Sequence, residues 1–398
     1  MATTGTGVCT ISWRRGVLAL ASMAVLATSC SSAEDNKGVD VDPAGARRML
    51  YVGSEGAITW YALNQSNGAL DRSGSLDVGY TASFLARSKD NRVLYALLRT
   101  VNEMQRQMVQ MMPLEGFVAT FSIDQSTGAL KEIGRLPSHG DRPTYIILDQ
   151  TGKYVLVANN LGHLVGNSIA VFPIKSDGTL GEPIQKLNTG IRAHQIRVHP
   201  NNKWVYVPNI DSDNVSQFLF DDKTGMLTAM TPAAATVPAM QGPRHLDFHP
   251  SGKYVYLSNE YGATVTTFSV KDDGTLVEVP PAVSGLPADF AARKWQSEIR
   301  VAPSGRFVYV GERVHETIAI FEVNAQTGGL TLKGHQPTLG KTPRNFMIDS
   351  SGTWMVVGNQ ESNSLISLRI DKATGGLTQA FGPVDQPTPY VHLFVSLP

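Results

Sequence analysis

The sequence predicts an all-β fold: a seven-bladed β-propeller of four-stranded antiparallel blades, its ring closed by the C-terminal strand joining the N-terminal blade. Three observations predict it. A Gly-x-Leu turn recurs seven times, at Gly68-Ala69-Leu70, Gly128-Ala129-Leu130, Gly178-Thr179-Leu180, Gly225-Met226-Leu227, Gly274-Thr275-Leu276, Gly328-Gly329-Leu330 and Gly375-Gly376-Leu377, with 47 to 60 residues between glycines. Periods of that length belong to solenoids and propellers, whose repeats bury their apolar faces only against one another. Each period also holds four short runs of aromatic and β-branched residues separated by turn residues, the pattern of a propeller blade. Finally, the folded part opens on the second strand of a blade and ends on a first strand, so the two ends complete one another.

Residues 1–30 precede that fold. Arg14 and Arg15 are followed by an apolar run from Val17 to Ala27 and by Ala27-Thr28-Ser29-Cys30. This is a basic n-region, a short h-region and a small-residue cleavage site. The run is too short to span a bilayer. Its end resembles the lipobox of bacterial lipoproteins, in which Cys30 becomes the lipidated N-terminus, and Ser12 to Leu18 loosely resembles a twin-arginine signal. Ser31 in place of Asp after that cysteine implies an outer-membrane anchor facing the periplasm. Residues 31–46 read as a polar tether, and 47–398 as the propeller. Cys9 and Cys30 are the two cysteines, so the mature body has neither disulfide nor thiol chemistry. The formal net charge is zero, which sets nucleic acid aside as a partner. Membrane contact is expected through the lipid anchor only.

Residues 243–283 show one blade. Pro243–Pro250 is strand A, Ser251-Gly252-Lys253 a turn, Tyr254–Ser258 strand B, Asn259–Gly262 a loop, Thr264–Val270 strand C, Lys271–Gly274 a hairpin turn and Leu276–Val279 the start of strand D. Strand A recurs at Thr81–Arg87, Pro143–Asp149, Ala193–His199, Pro243–His249, Ser297–Ala302, Pro343–Asp349 and Tyr390–Leu397. The first B strand is Met49–Val52, so the last A strand is expected to complete its blade and remove the exposed edge.

Because strands alternate in direction, A–B and C–D turns share one face and are short and repetitive. B–C and D–A loops share the other face and vary, notably at 99–116 (Met-rich), 161–168 and 282–296. Variable loops on a rigid scaffold are where binding concentrates. Polar residues at the starts of A strands on that rim are Arg142, His194, Arg244, His245, Glu298, Arg300, Arg344 and Asn345. Those at the ends of B strands are Glu55, Arg99, Asn159, Asn209, Asn259, Glu260, Glu312, Arg313, Asn359 and Gln360. The asparagines are expected to satisfy strand-end backbone groups. His199 and His249 precede prolines in the opposite-face turns and are given structural roles. Arg244, Glu260 and Arg313 in one funnel point to an anionic ligand.

The ordered motifs Gly242-Pro243-Arg244-His245, His249-Pro250-Ser251-Gly252-Lys253-Tyr254-Val255-Tyr256, Asn259-Glu260, Ser297-Glu298-Ile299-Arg300, Ser304-Gly305-Arg306-Phe307-Val308-Tyr309 and Pro343-Arg344-Asn345-Phe346 resemble the lactonase family. Its members are seven-bladed propellers that include bacterial 6-phosphogluconolactonases and fungal carboxy-muconate cyclases. The resemblance covers residues 48–398. It implies a site of a His, a Glu and two Arg, which match His194, Glu260, Arg244 and Arg313, with Arg300 as the alternative for the second Arg. His245, Arg300, Glu298, Arg142, Arg344 and Asn345 are expected to contact substrate.

Opening a lactone requires a base for water and donors for the oxyanion. His194 or Glu260 is the candidate base, and Arg244 and Arg313 hold an anion and stabilise developing charge. No Gly-x-Ser-x-Gly elbow stands at a strand-to-helix turn, no metal-ligand spacing stands out, and no cofactor is expected. The leading expectation is hydrolysis of a small anionic lactone of a sugar acid or carboxylated acid. The competing one is a non-catalytic envelope propeller that binds a glycan, peptide or protein. Convergence of the four charged side chains on one pocket favours the enzyme, and scattered solvated charges favour the binder.

Overall fold

The computed structural model describes residues 45–100 and 115–398, within which 28 strands pair into seven four-stranded antiparallel sheets. The signal sequence, Cys30, most of the tether and most of the Met-rich insertion lie outside the described residues. Apart from strands, two single 3-10 turns occur among them, Gly162–Leu164 and Ile210–Ser212.

The closing blade consists of Val391–Leu397 (strand A), then Arg47–Gly53, Ala57–Leu63 and Leu70–Asp77 (B, C and D). Register runs from Arg47↔Leu397 to Gly53↔Val391 without a break. A buried ion pair from Arg48 to Asp349 locks this blade to its C-terminal neighbour. The seven-bladed architecture and its closure thus stand as the sequence predicts.

The Gly-x-Leu turns fasten blades together. In five blades the Tyr of strand B donates to the carbonyl of a turn glycine in the next blade: Tyr51 to Gly128, Tyr95 to Gly178, Tyr206 to Gly274, Tyr256 to Gly328 and Tyr309 to Gly375, at 2.6–3.0 Å. Those tyrosines are buried, so each hydroxyl needs a partner. At Gly274 the backbone has φ +88° and an added Cβ would meet the Trp204 ring, so both conformation and packing demand glycine. On the same face His199 reaches the Gly252 carbonyl of the next blade at 2.9 Å.

One expected strand is shorter than predicted. In place of Ala193–His199 the ladder holds only Arg197–Val198, with an isolated bridge from Ala193 to Asn209. Between them Ala193 to Arg197 spends three intervening residues against two on the facing strand, so one residue is extra. The same irregularity occurs at the start of five other A strands. The extra residue is Ser83, Thr144, Arg244 or Arg344 in four blades, and Ser297-Glu298 faces a single residue in the fifth. A bulge interrupts the two-residue alternation of side chains. Consecutive residues can therefore reach the same side of the strand, and this builds the site.

Candidate active site

A cleft enclosing about 320 Å3, including the part open to solvent, is lined by both members of three consecutive pairs: Ser83-Phe84, Arg244-His245 and Arg344-Asn345. His194, Thr144, Arg99 and Tyr390 complete its wall. Hydroxyls tie neighbouring A strands behind it: Ser83 donates to the Pro143 carbonyl at 2.8 Å, Thr144 to the His194 carbonyl at 3.0 Å and Ser297 to the Pro343 carbonyl at 2.7 Å. The wall is thus held by side chain to backbone bonds that cross every one of these blade junctions.

Behind Arg244 lies an ion-pair cluster. Glu260 Oε2 is 2.9 Å from Arg244 Nε, and Oε1 is 3.6 Å from Arg313 Nη1. The Trp295 indole N–H donates to Oε1 at 2.7 Å, while the Arg313 guanidinium lies 4.4 Å from the Trp295 ring centroid. Burial by itself raises the Glu260 carboxyl, but Arg313, Arg244 and the Trp295 N–H outweigh it and hold it at about 2. Burial and the Arg244 charge in turn push Arg313 well below the usual arginine value. Arg344 is a different case. Its guanidinium lies 4.7 Å from the Tyr390 ring centroid, with Arg99 at 5.2 Å from the same ring, and it has no ion pair with a carboxylate among the described residues.

A second cluster lies behind His194. His194 Nδ1 is 3.0 Å from His245 Nε2, and His245 Nδ1 is 3.0 Å from Glu298 Oε1. Glu298 also accepts from Asn345 Nδ2 and lies 3.5 Å from Arg300. Asn345 Oδ1 in turn accepts from the backbone N–H of His392 at 3.0 Å and from its Nδ1 at 2.9 Å. This chain of side chains passes through A strands of five successive blades. Burial, then Arg244, His245, Arg344 and Arg313, push His194 well below the usual histidine value, so the ring is neutral at pH 7. Burial likewise lowers His245, to about 4, although Glu298 opposes the shift.

Of the predicted residues, His194, Arg244, His245, Arg344 and Asn345 line the cleft directly. Glu260 and Arg313 brace Arg244, and Glu298 and Arg300 brace His245 from behind. Arg142, half-buried with φ +56°, is absent from the cleft wall, although its charge is felt at Arg344. Of the four residues His194, Arg244, Glu260 and Arg313, the first two line the cleft, and the other two are joined to Arg244 through the Glu260 carboxylate. Sequence reasoning missed Trp295, Tyr390, Thr144 and Ser83. The two aromatics stand next to A-strand starts, where a rim search confined to charged and amide side chains passes over them. The rim asparagines Asn159, Asn209, Asn259 and Asn359 are fully buried and bond strand-end backbone or hydroxyl groups. Among the described residues no group of three His, Cys, Asp or Glu side chains is placed to hold a metal ion.

Known proteins share this architecture and sequence. Residues 48–394 match the family described as lactonase, 7-bladed beta-propeller. A 6-phosphogluconolactonase of Serratia proteamaculans is 34% identical over 254 residues, 64% of this chain and 75% of its own length. A 6-phosphogluconolactonase of Pectobacterium carotovorum is 33% identical over 261 residues, 65% of this chain and 76% of its own. Among solved structures, a periplasmic gluconolactonase of Pseudomonas aeruginosa superposes with a TM-score of 0.79 at 24% identity, covering 88% of this chain and 99% of that one. The chain belongs to the seven-bladed β-propeller lactonase family.

Proposed function

We propose that this lactonase hydrolyses a small anionic lactone, of a sugar acid or carboxylated acid, with His194 as the base. The observation that carries this reading is the neutral His194 ring beside Arg244 and Arg344 in one cleft. His194 Nδ1 is occupied by His245, while Nε2 makes no hydrogen bond among the described residues. Nε2 takes a proton from water as the water oxygen adds to the lactone carbonyl carbon. Arg244, adjacent to the ring, stabilises the oxyanion. The ring C–O bond then breaks and the leaving alkoxide regains the proton from His194, so that water and lactone give the hydroxy acid. Arg344 holds the anionic group of the substrate, since a half-buried guanidinium that pairs with no carboxylate among the described residues favours an anion.

Glu260 is the weaker candidate for the base. A carboxylate held at about 2 by two arginines and an indole N–H has little affinity for a proton at neutral pH. Its part in this reading is to position Arg244. The relatives named 6-phosphogluconolactonase make 6-phosphoglucono-δ-lactone, glucono-δ-lactone and a carboxylated γ-lactone the first panel to test. Opening of one of these by the purified protein, slowed about a hundredfold or more in His194→Gln but still measurable, is the expected result. Full turnover in that variant would remove His194 from the role.

Export and anchoring belong to the same reading. The Arg14-Arg15 n-region, the short apolar run and Cys30 support a cleaved signal and a lipid anchor that faces the enzyme to the periplasm from the outer membrane. The tether at 31–46 then gives the propeller reach from the membrane surface.

A further inference from the structure

We propose that Glu298 and His245 form a relay that holds His194 in its Nδ1–H tautomer and supplies the counter-charge when Nε2 takes a proton. This rests on His194 being the base, and the hydrogen-bond chain with a neutral His245 gives the assignment.

The polarity of the chain can be read from its two ends. The Asn345 amide is fixed because the His392 backbone N–H can only donate, so the acceptor facing it is Oδ1 and the Asn345 NH2 faces Glu298. Glu298 is fully buried and surrounded by donors: the Asn345 amide, the Ile299 N–H at 3.1 Å, Arg300, and His245 Nδ1. With donors on all sides it is a carboxylate and acts only as an acceptor. His245 Nδ1 therefore carries the hydrogen. Burial lowers His245 to about 4, so at neutral pH its Nε2 is an acceptor, and the nitrogen facing it, His194 Nδ1, donates. Nε2 of His194 is left with a lone pair, on a residue that lines the cleft.

The relay answers an electrostatic problem. His194 is faced by Arg244, Arg344, Arg313 and His245, and three of these are cations that oppose proton uptake. Glu260 cannot offset them, since it is already shared by Arg244 and Arg313. Glu298 is the remaining buried carboxylate around His194 among the described residues, and it reaches the ring through one imidazole. During the reaction the proton moves from water to His194 Nε2. The positive charge that forms is stabilised along Nδ1–H to His245 and on to Glu298, and it disappears when the alkoxide takes the proton back. His245 and Glu298 are positioning residues, because neither exchanges a proton with substrate. Tyr145 and Phe84 pack against the His245 ring at centroid distances of 5.5 and 6.3 Å and restrict its rotation.

A double-mutant cycle tests the relay. Glu298→Gln in the wild-type background should lower kcat by about a hundredfold, in the range of a lost general-base effect, while KM changes little. In a His194→Gln background the same substitution should cost nothing further, because the relay acts only through His194. Equal losses in both backgrounds would assign Glu298 a structural role and overturn the relay while leaving the base intact. Full activity in His194→Gln alone would instead refute the base. Should Glu298→Gln fail to fold, the wild-type protein carries the decision. Long-range 1H–15N correlation of the histidine rings should show His194 and His245 both protonated at Nδ1, and an Nε2–H tautomer at His194 would overturn the proposal.

Discussion

Arg344 and Tyr390 stack with the guanidinium 4.7 Å from the ring centroid at the edge of the cleft, and no carboxylate among the described residues forms an ion pair with that cation. Burial, followed by the nearby Arg244 charge, lowers Arg344 to about 10, so it is still charged at neutral pH.

Arg344→Gln should therefore weaken binding of an anionic lactone more than it slows the chemistry. We expect KM to rise by about ten- to a hundredfold, equivalent to about 1.4–3 kcal/mol, with kcat nearly unchanged. A neutral lactone should lose little. Steady-state kinetics on a charged and an uncharged substrate of similar ring size separate the two, and an equal loss on both would argue against the anion-holding role.

Removing Glu260 should cost stability as well as rate. Glu260→Gln leaves Arg244 and Arg313 facing one another without their shared carboxylate, a loss of about 3–5 kcal/mol for a broken buried pair. The folded carboxyl is held at about 2 against an ordinary 4.5. Its contribution is therefore full above about 4.5 and disappears as pH falls through the folded value. Thermal unfolding of wild type and variant should differ most at neutral pH and converge between pH 4.5 and 2.

Glu312 should show the opposite sign. Burial raises its carboxyl to about 8, with the Gln296 amide and the Arg313 charge only partly offsetting the shift. The protonated group receives a 2.7 Å bond from Gln296 Nε2. Stability from this group is full below 4.5, declines as pH rises towards 8, and is flat beyond. Glu312→Gln keeps the shape without the titration, so its unfolding midpoint should lack that decline. An identical slope in both proteins would refute the assignment.

Deleting residues 391–398 removes the strand whose seven residues pair with Arg47–Gly53, exposing an unpaired edge and orphaning the Asn345 acceptor. Loss of cooperative unfolding, or recovery only in aggregates, is expected. A truncated protein with a wild-type midpoint would contradict closure by this strand.

Cys30→Ser should move the protein from the membrane fraction to the soluble periplasmic fraction without altering the kinetics of the folded domain. Retention in the membrane fraction would argue against a lipid anchor at that residue.

The sequence by itself determined the fold and the face on which to look. Seven Gly-x-Leu turns set the blade count, because each turn glycine must accept a tyrosine of the preceding blade or pack beneath an aromatic ring, and no other residue fits at Gly274. Strand order and the alternating direction of strands then assigned His194, Arg244 and Arg344 to one rim. These are local properties, readable along the chain. What each side chain does there was decided by tertiary structure. The bulges that turn Arg244 and His245, or Arg344 and Asn345, to the same side arise from pairing with a second strand, and strict alternation would have separated each pair. Our proposal that Glu260 braces Arg244 rests on two arginines and Trp295, from three different segments, that meet around it. Glu298 gained a function through His245, a residue 53 positions away in sequence. Ionisation state and tautomer depend on burial and on partners brought from other blades, and the chain acquires both only when the ring closes.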